Sequence, residues 1–297
     1  MRAYVTGASG FVGSWLTEHL AESGDDVIAA GSEVDVTVGQ SVLRSIAEAE
    51  PDAVYHLAGV AHVGKSWQEP EKTLLVNTIG TLHVLEAAAS LARPATVLYV
   101  GSAEVYGAAG DAPVDEMAAL RPVSPYAASK AAAELLCLQA HLGRSLPVIV
   151  TRPFNHVGPG QSPDFVVSAL ARRVVNAERA GGGEVAVGNL DPQRDFTDVR
   201  DVVRAYRLLV EHGEPGEAYN VASGQSMSVR ALAERLASLA SAELSFVVDP
   251  ALARPVDIPV FVGDSGKLFR ATGWLPEFPL EKTLADVLDY WRAEPSP

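Results

Sequence analysis

Tyr126 and Lys130 stand four residues apart in Tyr126-Ala127-Ala128-Ser129-Lys130. On a helix this spacing puts both side chains on one face, one turn apart. An ammonium beside a phenol favours the phenolate and draws its pKa toward the working pH, which suits a proton shuttle to a carbonyl oxygen. Upstream, Gly101-Ser102-Ala103-Glu104-Val105-Tyr106-Gly107 follows a β-branched run. Ser102 can give a second hydrogen bond to the same oxygen, and Glu104 adds a carboxylate in the same stretch. A tyrosine and a lysine at this spacing also occur as a surface pair beside a core tyrosine. What raises the pair above that is the rest of the chain.

Near the N-terminus, Thr6-Gly7-Ala8-Ser9-Gly10-Phe11-Val12-Gly13 joins an apolar run to a helical pattern. Glycines there permit a tight turn and close approach of backbone to a pyrophosphate, and a helix N-terminus offers unpaired N–H groups. Gly7, Ser9, Gly10, Phe11, Val12 and Gly13 are thus candidate dinucleotide ligands. Three glycines can equally serve a turn and close packing; their place at the first strand–helix junction points to the dinucleotide. At the end of the second strand an acidic residue would bind an unphosphorylated ribose and repel a 2′-phosphate. That place reads Gly31-Ser32, neutral and small, with Glu33 and Asp35 following and no arginine close behind. Ser32 and Asp35 are candidate ribose and adenine neighbours. The reading leans to NADP(H) and leaves NAD(H) open.

The elements that must position these residues are legible as periodicity. Residues 3–6, 27–30, 53–57, 96–100 and 147–151 read as buried parallel strands, and 11–23, 40–49, 71–91 and 126–142 as helices between them. Such alternation predicts a Rossmann-type, doubly wound α/β sheet. After Arg152 the chain becomes turn-rich. Helices at 165–180, 199–211, 229–240 and 280–292, strands at 218–221 and 244–248, and a break at Gly181–Gly183 describe a smaller lobe. The expected organisation is a dinucleotide-binding unit at 1–156 with return segments near 189–222, and a substrate lobe at 157–188 and 223–297. The chain has 297 residues, 48% hydrophobic and 20% charged, with a net charge of −14. That charge disfavours nucleic acid and anionic membrane as partners. No apolar run reaches the length of a membrane span. The immediate entry into a strand leaves no room for a signal peptide, which predicts a cytoplasmic protein. Cys137, the one cysteine, reads as a small core residue.

With these motifs in place the chain resembles the extended short-chain dehydrogenase/reductase family, whose members act mostly on nucleotide-linked sugars. His56-Leu57-Ala58-Gly59, Asn77 within Val76-Asn77-Thr78-Ile79-Gly80-Thr81, and Arg152-Pro153-Phe154-Asn155 carry the likeness further. The resemblance implies that Leu57, Ala58, Gly59, Asn77 and Pro153 line the cofactor, and that Lys130 also contacts the nicotinamide ribose. Phe154-Asn155-His156-Val157-Gly158-Pro159-Gly160-Gln161, Arg194–Asp201 and Asp249-Pro250…Arg254-Pro255-Val256-Asp257 are similar to the branch that reduces GDP-4-keto-6-deoxy-D-mannose. This implies a GDP-linked hexose as substrate, hydride delivery to its C4 ketone, and Tyr126 protonating the alkoxide to give GDP-D-rhamnose. Asn155 and Arg194 would hold the diphosphate, with Gln161 nearby. Arg254 would add a second guanidinium, and Asp257 would accept from ribose hydroxyls.

Glu104 keeps a dehydratase in view. Related 4,6-dehydratases use a carboxylate there to remove a C5 proton, usually beside a hydroxyl or second acid; here the neighbour is Ala103. A catalytically silent dinucleotide sensor is the remaining alternative, and such proteins tend to lose the tyrosine or the lysine. His62 and His156 are expected near the cleft without a metal role, and Trp67 as a pocket wall or a core residue. The family also implies a homodimer through the helices at 71–91 and 126–142, with Ala131, Ala132 and Ala133 allowing close approach.

Overall fold

A computed structural model describes residues 1–31, 33–110, 112–252 and 258–295. The chain runs β1 (Arg2–Thr6), α1 (Phe11–Glu22), β2 (Asp26–Ala29), α2 (Gly39–Ala49), β3 (Ala53–His56), α3 (Val63–Gln68), α4 (Pro70–Leu74), a π-helical turn (Leu75–Ile79), α5 (Gly80–Ala89), β4 (Thr96–Val100) and a 3-10 turn (Ala103–Tyr106). It continues through α6 (Pro125–Arg144), β5 (Val148–Pro153), β6 (Asn155–Val157), α7 (Val166–Arg179), β7 (Gly183–Val187), β8 (Gln193–Asp198), α8 (Val199–His212), β9 (Ala218–Val221) and β10 (Ser226–Ser228). α9 (Val229–Ser238), β11 (Leu244–Val248), a 3-10 turn (Pro250–Leu252), β12 (Val260–Phe261), α10 (Gly266–Thr272) and α11 (Leu280–Ala293) complete it.

Six strands form one parallel sheet in the order β2-β1-β3-β4-β5-β9. β3 and β5 are buried throughout and β1, β4 and β9 nearly so, as their β-branched and aromatic runs require, while edge strand β2 is only partly covered. One face carries α1 and α8 around Leu16, Leu20, Val202, Tyr206 and Trp274. The other carries α2, α5 and α6 around Val42, Ile46, Val84, Leu85 and Cys137. The chain changes faces between α1 and α2, so a crevice opens at the carboxyl ends of β1 and β3, where open α/β sheets bind ligands.

A smaller assembly follows. β10, β8 and β12 pair side by side with β6 alongside β8, and β11 pairs with β7. α7, α9 and α11 close over them around Leu170, Val174, Leu232, Leu284 and Leu288. Short strands β6, β7, β8, β10 and β12 have no expectation from periodicity, because two to six residues with polar alternates give too weak a pattern. Gly183, expected to break the chain, instead opens β7 as the third of three consecutive glycines with positive φ.

Three acidic residues of the Arg194–Asp201 segment hold the assembly together. Asp195 is buried and accepts from the backbone of Ser223 and Gly224 and from the Ser223 hydroxyl. Asp198 caps α8 through Arg200 N–H and accepts from Thr283. Asp201 accepts from Glu277 and Phe278 N–H, beside Trp274, whose indole donates to the Asp201 carbonyl. These carboxylates satisfy backbone donors that would otherwise be buried unpaired.

Two expectations change. Trp67 is not a core residue; it is 60% exposed on α3. Ala131 and Ala133 face the protein's own interior, so the outward face of α6 is made by Leu135, Leu138 and Leu142 instead. A 20-residue helix turns 100° per residue, and this register places the alanines toward β4 and the 3-10 turn rather than outward.

Candidate active site

Ser124 caps α6 by accepting from Ala127 N–H at 3.1 Å, and Pro125 occupies the first turn, where its missing donor costs nothing. The next residue is Tyr126. Its own N–H, an orphan of the first turn, donates to Ser66 Oγ of α3 at 3.1 Å. The cap therefore fixes both the start of the helix and the height of the phenol.

Ser102 lies directly after β4 and accepts from Glu104 N–H at 3.2 Å, which starts the 3-10 turn. Its hydroxyl lies beside the Tyr126 phenol, close enough to influence its titration. Burial pushes the Tyr126 phenol up to about 12; the Ser102 hydroxyl opposes this, and the Glu104 carboxylate adds to it. Lys130, one turn along, is buried and donates from Nζ to the Val100 carbonyl at 2.8 Å, above the face of Tyr99. Burial lowers Lys130 to about 8. The expectation that the ammonium draws the tyrosine downward is thus reversed in this geometry. Desolvation dominates, and the phenol is held protonated, the form that can give a proton away.

A chain of hydrogen bonds joins this centre to the glycine turn. Thr6 Oγ1 accepts from Leu57 and Ala58 N–H, both at 3.2 Å, and lies 2.8 Å from His56 Nδ1. His56 Nε2 lies 3.0 Å from Thr81 Oγ1, which donates to the Asn77 carbonyl. Asn77 in turn donates to Ser129 Oγ at 2.9 Å and accepts from Val60 N–H at 2.7 Å. Burial lowers His56 to about 3, so the imidazole bridges as a neutral ring. Asn77 sits in the π-helical turn between α4 and α5, a local widening that often marks functional positions. Gly59 lies against this group, since a Cβ there would fall 2.9 Å from Asn77 Oδ1 and 3.5 Å from Lys130 Nζ.

The glycine fingerprint forms a cradle with no room for side chains. Gly7 has φ of 68°, and a Cβ on it would lie 2.8 Å from Ala58 N. A Cβ on Gly13 would lie 2.1 Å from the Gly7 carbonyl oxygen. Both contacts are with backbone, so neither can relax cheaply. Ser9 and Gly10 are exposed at the crevice, with Phe11 and Val12 opening α1. This space at a helix N-terminus fits a dinucleotide pyrophosphate. Gly13→Ala is expected to weaken binding of NADH and NADPH at least about tenfold and to lower stability by about 1–3 kcal/mol, through overpacking. Fluorescence titration and thermal melts would measure both, and unchanged affinity would refute the cradle.

The remaining candidates sit farther out. Pro153 ends β5 inside the sheet, paired with Val221 of β9. Asp35 Oδ1 accepts from Thr37 N–H and Oγ1, both at 2.8 Å, ahead of α2. Asn155 and Arg194 line one cleft of about 230 Å³ together with Asp164, Arg173, Asn189 and Leu252. Arg194 donates to the Ile258 carbonyl at 2.6 Å. Arg173, which donates to the Ala186 carbonyl at 3.2 Å, brings a second guanidinium to this cleft. No motif marks it; only the helical register of α7 relative to β7 places it there. Gln161 is buried, and its amide donates to the His156 carbonyl at 2.9 Å, inside its own loop. His156 stacks on Phe11, and His62 meets Phe165 edge-on. Ser32, Arg254 and Asp257 lie outside the described residues. Among the described residues no group of three metal-ligating side chains comes together, and no helix is long and apolar enough to cross a membrane.

Comparison with known proteins agrees with this geometry. The pattern of the GDP-mannose 4,6 dehydratase family matches residues 31–287. GDP-6-deoxy-D-mannose reductase from Pseudomonas aeruginosa is 39% identical, over 98% of this chain and 97% of that protein. The structure of RMD from Pseudomonas aeruginosa complexed with NADPH superposes with a TM-score of 0.90 at 39% identity, covering 98% of this chain and 97% of the other. UDP-glucose 4-epimerase from Thermus thermophilus in complex with NAD does so with a TM-score of 0.85 at 28% identity, covering 99% of each. The glycine cradle, the Ser102–Tyr126–Lys130 centre and the match over most of its length place this chain in the GDP-mannose 4,6-dehydratase family of short-chain dehydrogenases/reductases.

Proposed function

We propose that the protein reduces the C4 ketone of GDP-4-keto-6-deoxy-D-mannose to GDP-D-rhamnose. The observation that carries this reading is the buried Tyr126 on α6, brought beside Ser102 at the end of β4, with buried Lys130 one turn away. A bound NADPH or NADH supplies the hydride. Ser102 and Tyr126 hold the ketone oxygen, and Tyr126 gives it a proton as negative charge develops there. Lys130, whose Nζ donates to the Val100 carbonyl, would contact the nicotinamide ribose and support the phenolate that remains. Gly7, Ser9, Gly10, Phe11, Val12, Gly13, Leu57, Ala58, Gly59, Asn77 and Pro153 hold the dinucleotide along the crevice. Asn155, Arg194 and Arg173 receive the GDP diphosphate in the cleft, where the large unit meets a substrate lobe formed by 157–188 and 223–297.

Ala103 beside Glu104 supports reduction over dehydration, since dehydration needs a second acid–base group at C6. Glu104, close enough to influence Tyr126, is the observation favouring the dehydratase reading. We also infer a cytoplasmic homodimer. Leu74, Leu75 and Ile79 on the helical run before α5 and Leu135, Leu138 and Leu142 on α6 are apolar and exposed, a composition suited to a helix–helix interface.

The test supplies GDP-4-keto-6-deoxy-D-mannose with NADPH or NADH and follows loss of reduced-nicotinamide absorbance against product. Stoichiometric reduction is expected. Absence of turnover with this ketone, together with a 4-keto-6-deoxy product from GDP-mannose, would replace the reading by the dehydratase.

A further inference from the structure

Ser66, which accepts the Tyr126 N–H, lies on the short helix α3, and the residue before it is Lys65. Lys65 Nζ donates to Asp164 Oδ2 at 2.6 Å, across 99 positions of chain. Next to Asp164, Phe165 meets the His62 ring edge-on at 6.1 Å between centroids, and His62 caps α3 by accepting from Lys65 N–H. Phe165 is also the cap residue of α7, the helix that brings Arg173 to the cleft, and Asp164 lines that cleft. The ion pair therefore joins the helix that seats the catalytic phenol to the rim of the cleft assigned above to the diphosphate.

The segment carrying Asp164 is held differently at its two ends. Its start is fixed by partly buried contacts. His156 stacks on Phe11, Trp15 Nε1 donates to the Pro159 carbonyl at 3.1 Å, and Gln161 donates to the His156 carbonyl while its own carbonyl accepts from Ser168. Toward α3 it is tied by the His62–Phe165 ring contact and by the Lys65–Asp164 pair, whose side chains are 61% and 42% exposed. An exposed pair is worth up to about fivefold in an equilibrium constant and weakens as salt shortens the screening length. That is too little to hold the fold, but enough to bias the rim between open and closed positions against α3.

Asp164 also brings a charge of the wrong sign for a phosphate to a cleft that holds Arg173 and Arg194. With the Lys65 ammonium against it, much of that field is cancelled. Resting on the sugar-nucleotide reading above, we infer that Lys65 and Asp164 are positioning residues for the substrate. Their pair closes the cleft rim against α3, so that a diphosphate in the cleft and a sugar carbonyl at Tyr126 are held at a fixed separation. Neither side chain takes part in hydride or proton transfer.

Equilibrium binding separates this role from a plain effect of local charge. GDP-mannose is titrated calorimetrically into protein saturated with NADPH, which is already reduced and cannot oxidise the sugar, so no turnover intervenes. The parent, Lys65→Gln, Asp164→Asn and the double variant are compared at low and at high salt. Two independent charges would act in opposite directions on an anionic ligand, Lys65→Gln weakening it and Asp164→Asn tightening it, and their factors would simply multiply in the double variant. A positioning pair is not additive, because once one partner is gone the loss of the other costs no further closure. The product of the two single-variant dissociation constants is expected to exceed the product for parent and double variant by about three- to fivefold at low salt, falling to unity at high salt. Thermal melts of all variants verify the fold. A ratio of one at low salt overturns the positioning role and leaves the reductase reading intact. Absence of GDP-mannose binding to the parent removes the GDP-linked reading and the positioning role with it.

Discussion

Tyr126→Phe is expected to lower the rate of ketone reduction by about 10³-fold or more while leaving fold and dinucleotide affinity nearly unchanged. A positioned general acid contributes about 10²–10⁴-fold, and no second hydroxyl of comparable placement replaces it. Ser102 can still hydrogen-bond the ketone oxygen, but its hydroxyl is far too weak an acid to take over the proton transfer. Phenylalanine fills nearly the same volume, and the helix cap at Ser124 and the Ser66 contact use backbone groups that the substitution leaves alone. Rapid mixing of the ketone with protein and reduced dinucleotide would measure the step. Full activity in the variant would remove Tyr126 as proton donor. The pH profile gives a second reading of the same centre. Lys130 is lowered to about 8 by burial, so its ammonium is present below that pH and lost above it. Reduction should therefore decline as pH rises through about 8, earlier than an ordinary lysine near 10.4 would cause.

Glu134→Ala should cost about 3–5 kcal/mol of folding stability, among the largest effects available to a single substitution here. Arg152 of β5 is buried and donates to both Glu134 carboxylate oxygens, to Tyr106 Oη at 2.7 Å and to the Glu116 carbonyl. Its guanidinium also covers the Tyr106 ring. Removing Glu134 leaves that charge buried without a counter-ion, and the loss of the partner rather than of the attraction sets the cost. Tyr106 closes the 3-10 turn begun at Ser102 and donates to Asn220 of β9, so loosening at Arg152 reaches the catalytic turn. Urea unfolding of the variant gives the measurement. A change below about 1 kcal/mol would mean that the pair is solvated in the native protein.

Much of this protein was determined by local sequence. Strand and helix periodicity specified the alternating elements of the large sheet, because buried strands and amphipathic helices write regular patterns into 4 to 20 residues. The glycine turn and the Tyr126–Lys130 spacing were legible for the same reason: their geometry depends on neighbours within one turn of chain. Tertiary structure decided what depends on distant partners. The pKa of Tyr126 follows from burial among segments 24 to 60 residues away, and it moved opposite to what a lysine four residues along suggests. Arg173 reaches the cleft of Arg194 only through the docking of α7 on β7. Asp195, Asp198 and Asp201 follow Arg194 in the segment that carries the family likeness, and their carboxylates satisfy donors from Ser223, Thr283 and Glu277. Packing alone turned Leu135, Leu138 and Leu142 outward and Ala131 and Ala133 inward. Chain order tells which groups are available for chemistry, and burial and long-range hydrogen bonds set their charge state and direction.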